Sequence, residues 1–298
     1  MSSPSASTNL GTSRGTARSA SRARLLAHTV ERIAALDEVP SYDGAGYMRG
    51  HVAFEGASDQ QGQILDWLIA FATKHAGATF EAASVGAGSG ILDVPMLEAV
   101  CQTKRVEYTV FEPFEAQCRK FEQRAAHVTE SDRLALSVEC AKIEEVAPER
   151  QFDVVFSIHS IYSFEGLEQA VARLIQMTRP GGELVIAVAP LEQMNQLAEA
   201  FWQPQHEGDL GFEEQVVAAL RSLGADFSQE RIDAELQVSL ECEELLDIAS
   251  FLVQCPLEQC PEDLRALVLE YLQVCGRSTA RELVIPHPVQ ILRVRRPQ

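Results

Sequence analysis

One short passage restricts the fold more than any other. At Ser84–Pro95, SVGAGSGILDVP, an apolar run empties into three alternating glycines and then into a helix-forming stretch. Glycine at every second position removes Cβ atoms and admits backbone conformations closed to other residues. Set between a strand and a helix, such a turn brings bare backbone against a ligand. A dinucleotide, a flavin or another nucleoside all fit that description.

The chain around the turn alternates strand and helix patterns. Gln60–Ala76 has helical spacing and should pack on a sheet. Strand patterns follow at Phe80–Ala87, Val106–Pro113, Arg133–Cys140, Phe152–Tyr162 and Glu183–Pro190. Helix patterns separate them at Ile91–Gln102, Phe114–Val128 and Gly166–Gly182, the last stopped by Pro180 and two glycines. The fourth strand is almost wholly apolar, which places it in the middle of the sheet, covered on both faces. This rhythm predicts a doubly wound α/β domain.

After Pro190 the rhythm changes. Phe212–Ala225, Cys242–Cys255 and Pro261–Cys275 read as helices, and Glu230–Leu240 and His287–Arg296 as strands. The two late strands suit an antiparallel pair closing a mostly parallel, seven-stranded sheet, with the helices between them inserted as a cap. Gly208–Asp209 and Pro256 read as loops within one domain.

Residues 1–24 form a disordered tail or a transit-like segment, because Met1–Val30 holds no Asp or Glu and is rich in Ser, Thr, Ala and Arg. Residues 25–298 form a single domain, with a cofactor core over about 80–190 and a substrate cap drawn from 25–75 and 200–290. The net charge of -18 argues against nucleic acid. Seven cysteines, an odd number without a C-x-x-C pair, suit a reducing compartment and offer neither a disulfide framework nor a zinc site. No apolar run approaches the ~18 residues of a membrane span. The expectation is a soluble, monomeric, cytoplasmic protein with a small-molecule substrate and no metal. An organelle is the alternative if the N-terminal segment is a transit peptide.

The glycine spacing narrows the ligand. A dinucleotide site asks for G-x-G-x-x-G/A, but Gly86, Gly88 and Gly90 alternate, and Ile91 stands where the last glycine belongs. Glu112, at the end of the second strand, can accept both hydroxyls of a ribose. A ribose-binding acid without the pyrophosphate spacing points to S-adenosylmethionine, and a nicotinamide-dependent oxidoreductase is the rival of the same fold.

The segments SVGAGSGILDVPML, VFEPFEAQ, FDVVFSIHSIYSF and RPGGELVIAV together resemble the successive motifs of class I S-adenosylmethionine-dependent methyltransferases, whose fold is Rossmann-like. Their order and spacing, and the later segments AALRSLGADF, ECEELLDIASFLVQ and CPEDLRALV, resemble the histamine N-methyltransferase-like group from Tyr47 to Val294. The resemblance implies that Gly86, with Gly88 and Gly90, approaches the methionine end of the cofactor. Glu112 would hold the ribose with Gln117 beside it, and Ile158 would line the adenosine or methyl end. On the substrate side, His159 stands where that group has a glutamine, and His287 where it has an asparagine. Asp59 and Gln60 fall near its glutamate, Tyr162 matches an aromatic position, and Tyr47 joins the substrate side. A rewritten substrate half puts histamine itself in question.

His159 lies at the carboxyl end of a central strand, where ligands of doubly wound sheets bind. There it is the candidate base for an amine that must lose a proton before accepting a methyl group. A satisfied structural histidine is the alternative, and His287 between two prolines reads equally as a loop residue. An amine or imidazole nitrogen is the expected acceptor. A carboxyl, hydroxyl or thiol is the runner-up, and a non-catalytic regulatory binder of the cofactor is the alternative from another class.

Overall fold

The structure, a computed structural model, describes residues 10–298 except 43, 130, 147–148, 165, 207–209 and 240–243, with side chains from Arg18 onward. Gly208–Asp209 and Cys242, read above as a loop and the start of a helix, lie outside the described residues. The helices are α1 (Leu10–Ala34), α2 (Gly44–Ala57), α3 (Gln60–Lys74), α4 (Asp93–Cys101), α5 (Glu115–Ala125), α6 (Leu167–Met177), α7 (Met194–Trp202), α8 (Glu213–Ser222), α9 (Glu244–Leu252) and α10 (Glu262–Cys275). The strands are β1 (Thr79–Val85), β2 (Arg105–Phe111), β3 (Leu134–Glu139), β4 (Phe152–Ile158), β5 (Thr178–Val188), β6 (Phe227–Ile232), β7 (Glu235–Ser239), β8 (Arg277–Ser278), β9 (Glu282–Pro286) and β10 (Val289–Arg295).

Contacts divide the chain into two compact units. Unit 1 takes Met1–Ser58, Glu192–Gly208 and Glu235–Pro286, and unit 2 takes Asp59–Leu191, Asp209–Ala234 and His287–Gln298. The boundary expected at residue 24 falls inside α1.

Unit 2 holds a seven-stranded sheet in the order β3-β2-β1-β4-β5-β10-β6. Its first five strands are parallel, and β10 runs antiparallel to both β5 and β6. This is the doubly wound, mostly parallel sheet expected. Ala82, Val154 and Val185 face the core covered by α3, α4 and α5. Ala83, Val155 and Leu184 face the one covered by α6 and α8. This is the two-residue alternation of a strand buried on both faces. Crossovers on both faces leave the carboxyl ends of β1, β2 and β4 together at one rim, which positions the site.

Unit 1 holds a second, three-stranded antiparallel sheet, β7-β9-β8, and an apolar core of its own. Leu25 and Ile33 of α1, Phe201 of α7, Ile248 of α9 and Tyr271 of α10 lie in that core. The Tyr271 hydroxyl donates to the Gln193 carbonyl at 2.8 Å.

Two sequence readings change. The single strand expected over Glu230–Leu240 is broken at Asp233–Ala234 into β6 and β7, which belong to different sheets. Alternation continues across the break, so periodicity alone does not reveal it. The helix expected to run from Gly166 to a stop at Pro180 ends at Met177, and β5, expected from Glu183, begins at Thr178, before the proline. There Arg179 reaches Asp153 at 2.6 Å and Glu81 at 3.0 Å, tying three parallel strands at their amino ends.

Candidate functional site

The turn after β1 is built by what its neighbours forbid. Gly86, Gly88 and Gly90 all have left-handed backbone, at φ of 72°, 57° and 74°. A Cβ on Gly86 would stand 2.4 Å from the Ser160 Cβ, and one on Gly90 would stand 2.6 Å from the Phe121 ring. A Cβ on Gly88 would meet nothing within 4 Å. Two glycines therefore let the turn pack, and the third borders open space.

Glu112, immediately after β2, is buried at 4% exposure. Its Oε2 accepts the Gly88 N–H at 2.9 Å and its Oε1 accepts the Phe114 N–H at 3.1 Å. An ionised carboxylate has about four acceptor sites, so two remain for ligand hydroxyls. Gln117, half-buried in the first turns of α5, and Ile158, at the end of β4, lie on the same rim. An open-faced glycine beside a carboxylate with capacity to spare fits the ribose and methionine portions of S-adenosylmethionine.

Sequence reading missed the supports beneath this cradle. Asp93, in the first turn of α4, is buried, and burial raises its carboxyl above the usual range against hydrogen bonds from Ser84 and Tyr108. The Tyr108 hydroxyl donates to it at 2.7 Å. Ser160 donates to the Val85 carbonyl at 2.7 Å and lies 2.8 Å from the Ser157 hydroxyl, locking the end of β4 against the glycine turn. An acidic residue opening a helix is the only signal that pointed to Asp93, and nothing marked the serines.

Beyond β4, His159 adopts φ of 50°, a left-handed conformation uncommon outside glycine, though histidine is among the residues that enter it. Such strain collects at functional sites. Its backbone N–H donates to the Ala187 carbonyl at 3.0 Å. Its ring Nδ1 lies 3.2 Å from the Tyr162 hydroxyl, which accepts the Ala189 N–H at 2.6 Å. The Nε2 is buried with no hydrogen-bond partner.

His287 is also buried, held through its backbone. Its N–H donates to the Ala234 carbonyl at 2.8 Å, and its carbonyl accepts from Gln60 Nε2 at 2.8 Å. Burial pushes His159 down to about 4. Burial, then the neighbouring His159, push His287 down to about 3 against the pull of Asp59. Both imidazoles are uncharged at neutral pH.

The structure thus brings together Asp59, Gln60, His159, Tyr162 and His287 from three distant stretches of sequence. Tyr47 lies in unit 1, where its ring centroid is 5.3 Å from Phe251 and 5.9 Å from His51. A concavity of about 830 Å³ lies at the opposite end of the sheet, where Asp153, Gly181 and Glu183 mark the amino ends of β4 and β5. Ligands of doubly wound sheets bind at the other end. Among the described residues, no group of three or more His, Cys, Asp or Glu is placed to hold a metal, and no helix is long and apolar enough to cross a membrane.

Residues 83–184 match a family model described as a methyltransferase domain. The fold is similar to that of YcgJ from Bacillus subtilis, 13% identical with a TM-score of 0.53, over 80% of this chain and 100% of that one. It is similar to the BH2331 protein of Bacillus halodurans C-125, 14% identical with a TM-score of 0.53, over the same shares. A more distant likeness is to the N-methyltransferase NodS from Bradyrhizobium japonicum WM9, in complex with S-adenosyl-L-homocysteine. It is 14% identical with a TM-score of 0.45, over 80% of this chain and 87% of that one. No curated protein matches the chain. The matched segment contains the glycine turn, Glu112, His159 and Tyr162.

Proposed function

We propose that this chain, an S-adenosylmethionine-dependent methyltransferase, methylates a nitrogen of a small amine or imidazole by in-line transfer. The observation that carries the reading is the meeting of two uncharged imidazoles, the half-buried His159 and the buried His287, with the carboxylate of Asp59 close by. Neutral rings admit an amine without repelling it, and a carboxylate can pair with a second cationic group. The resemblance to the histamine N-methyltransferase-like group supports nitrogen as well.

In this reading Glu112 takes the ribose hydroxyls, with Gln117 beside them. Gly86 and Gly90 let the turn pack, Gly88 leaves room along it for the cofactor, and Ile158 lines the adenosine or methyl end. When bound, S-adenosylmethionine supplies an electrophilic methyl group on a sulfonium. The chain's part is to hold the acceptor nitrogen in line, and positioning of that kind supplies about 7–11 kcal/mol. With the cofactor bound, the acceptor nitrogen held in line would take the methyl group as the sulfonium sulfur leaves as a thioether, and the chain would need to let the nitrogen's proton out to solvent. His159 faces the acceptor. Its imidazole, pushed down to about 4, is a weak base, so the acceptor's own lone pair does the attacking. Asp59, Gln60, Tyr162 and His287 line the substrate side.

The test is turnover of methyl-labelled cofactor with a panel of small amines, imidazoles, carboxylic acids, alcohols and thiols. Label on nitrogen is expected. Label only on a carboxylate, hydroxyl or sulfur would replace this reading with its runner-up. Tight cofactor binding without turnover on any member would make the chain a regulatory binder.

A further inference from the structure

The proton arrangement around His159 decides what it offers a substrate. The Ala189 N–H can only donate, so at 2.6 Å the Tyr162 oxygen is its acceptor. The hydroxyl hydrogen still needs an acceptor of its own, and the His159 Nδ1 at 3.2 Å supplies it. The reverse arrangement, with Nδ1–H donating, would leave the tyrosine hydroxyl hydrogen buried and unpaired. In a neutral imidazole one nitrogen carries the proton and the other accepts. With Nδ1 accepting from Tyr162, the proton sits on Nε2, the buried atom with no partner.

The end of β5 sets both parts of this relay. Ala187 accepts from the His159 backbone and fixes its left-handed conformation, and two residues on, Ala189 donates to Tyr162. The two rings lie nearly parallel, with an interplanar angle of 20°. Backbone and tautomer are held by one short segment, the last residues of β5 and the residue after it.

We infer that Tyr162 is a positioning residue that keeps the proton of His159 on Nε2, so that His159 meets the substrate as a hydrogen-bond donor and selects acceptors carrying a second lone pair. The second lone pair is required because one engaged by an N–H is not free to attack a methyl group. The class this defines is a small amine or nitrogen heterocycle bearing another acceptor, such as a second ring nitrogen or a carbonyl. The inference rests on the methyl-transfer reading for its meaning, but its test does not depend on turnover.

The experiment is nitrogen NMR of the full chain labelled in histidine, with His159 assigned by its loss in His159→Gln. Long-range proton–nitrogen spectra are expected to show the proton on Nε2 in the wild type. A mixture of tautomers is expected in Tyr162→Phe, whose melting curve serves as the folding control. As the free base, 1-methylimidazole, which can only accept, is expected to move the Nε2 resonance, and pyrrole, which can only donate, is expected to leave it in place. A wild-type spectrum with Nε2 unprotonated, or a response to pyrrole and not to 1-methylimidazole, overturns the inference. If Tyr162→Phe fails to fold, the wild-type spectrum and the two probes still decide it. Absence of turnover on every panel amine, with the Nε2 proton in place, would defeat the function proposed above and leave the tautomer standing.

Discussion

The proposed cofactor cradle and the proposed acceptor end share one rim of the same sheet but are made from different materials. The cradle is backbone and one carboxylate: three left-handed glycines and Glu112, within 27 positions of one another along β1 and β2. The acceptor end is side chains, from Asp59 and Gln60, from His159 and Tyr162, and from His287. β10 returns beside β5, and the Gln60 side chain donates to the His287 carbonyl just before it at 2.8 Å. A local site of small residues resists substitution by sterics. A site assembled from afar can be rewritten residue by residue while the fold persists.

The sharpest way to break this comparison is at Gly86, which should show the largest effect. In Gly86→Val a side chain would enter space already filled by Ser160, on backbone at φ of 72°. Left-handed strain costs about 1–3 kcal/mol and overpacking about 1–3 kcal/mol more. Denaturant melts should show that loss, with no cofactor binding remaining. Gly88→Ala is the contrast, since its Cβ meets nothing within 4 Å. Stability should fall by only the strain, about 1–2 kcal/mol, while cofactor affinity falls as well. If both variants lose stability equally, Gly88 does not border an open cradle.

Glu112→Ala comes next. Removing a hydrogen bond to a charged group should weaken cofactor binding by about 1.5–3 kcal/mol. Because the carboxylate also accepts the Gly88 and Phe114 N–H groups, the melting temperature should fall too. Calorimetry showing unaltered affinity would remove Glu112 from the site.

The same contrast explains how far the sequence could be read. The turn, Glu112 and the parallel strands were legible because each is a local pattern whose spacing carries its own physics. Tertiary pairing hid the rest. β6 and β7 look like one strand until their partners, β10 and β9, are known to lie in different sheets. The two-residue β8 carries no signal that separates it from loop, and the apolar run of β9 is too short to announce its sheet. Asp59, Gln60 and His287 were placed by resemblance alone, since nothing in their local sequence announces that they meet. The surroundings of His159 were hidden for a like reason. A lone histidine reads as a base with an ordinary pKa, whereas the Tyr162 hydroxyl beside its ring and the burial that pushes the imidazole down to about 4 are properties of the fold.

The buried imidazoles give a pH prediction of intermediate size. Unfolded, each titrates near ~6.5; folded, His159 and His287 hold at about 4 and about 3. Between those values the unfolded chain binds protons that the folded chain does not, so stability falls as pH drops below about 6.5. The slope is up to about 1.4 kcal/mol per pH unit for each histidine, and it flattens once pH passes below the folded values. His287→Asn should remove one histidine's share. Melts with the same acid limb in wild type and variant would show that His287 is not buried neutral.

The smallest effect is expected at His159 itself, and it separates the two roles the residue has been given. Glutamine carries an amide N–H of similar reach, so His159→Gln keeps a donor while deleting any base. If His159 donates, kcat on the preferred amine should stay within about tenfold, and any change should sit mainly in KM, the pattern of an interaction made equally in ground and transition states. His159→Leu, which removes the donor, should raise KM further, by the equivalent of about 0.5–1.5 kcal/mol for a lost hydrogen bond. If His159 instead takes the acceptor's proton, glutamine cannot substitute, and kcat should drop about 10²–10⁴-fold. Cofactor affinity serves as the control in both variants, because Glu112 and the glycine turn are untouched. A large kcat loss with cofactor binding intact would return His159 to the role of base and make the acceptor end as unforgiving as the cradle.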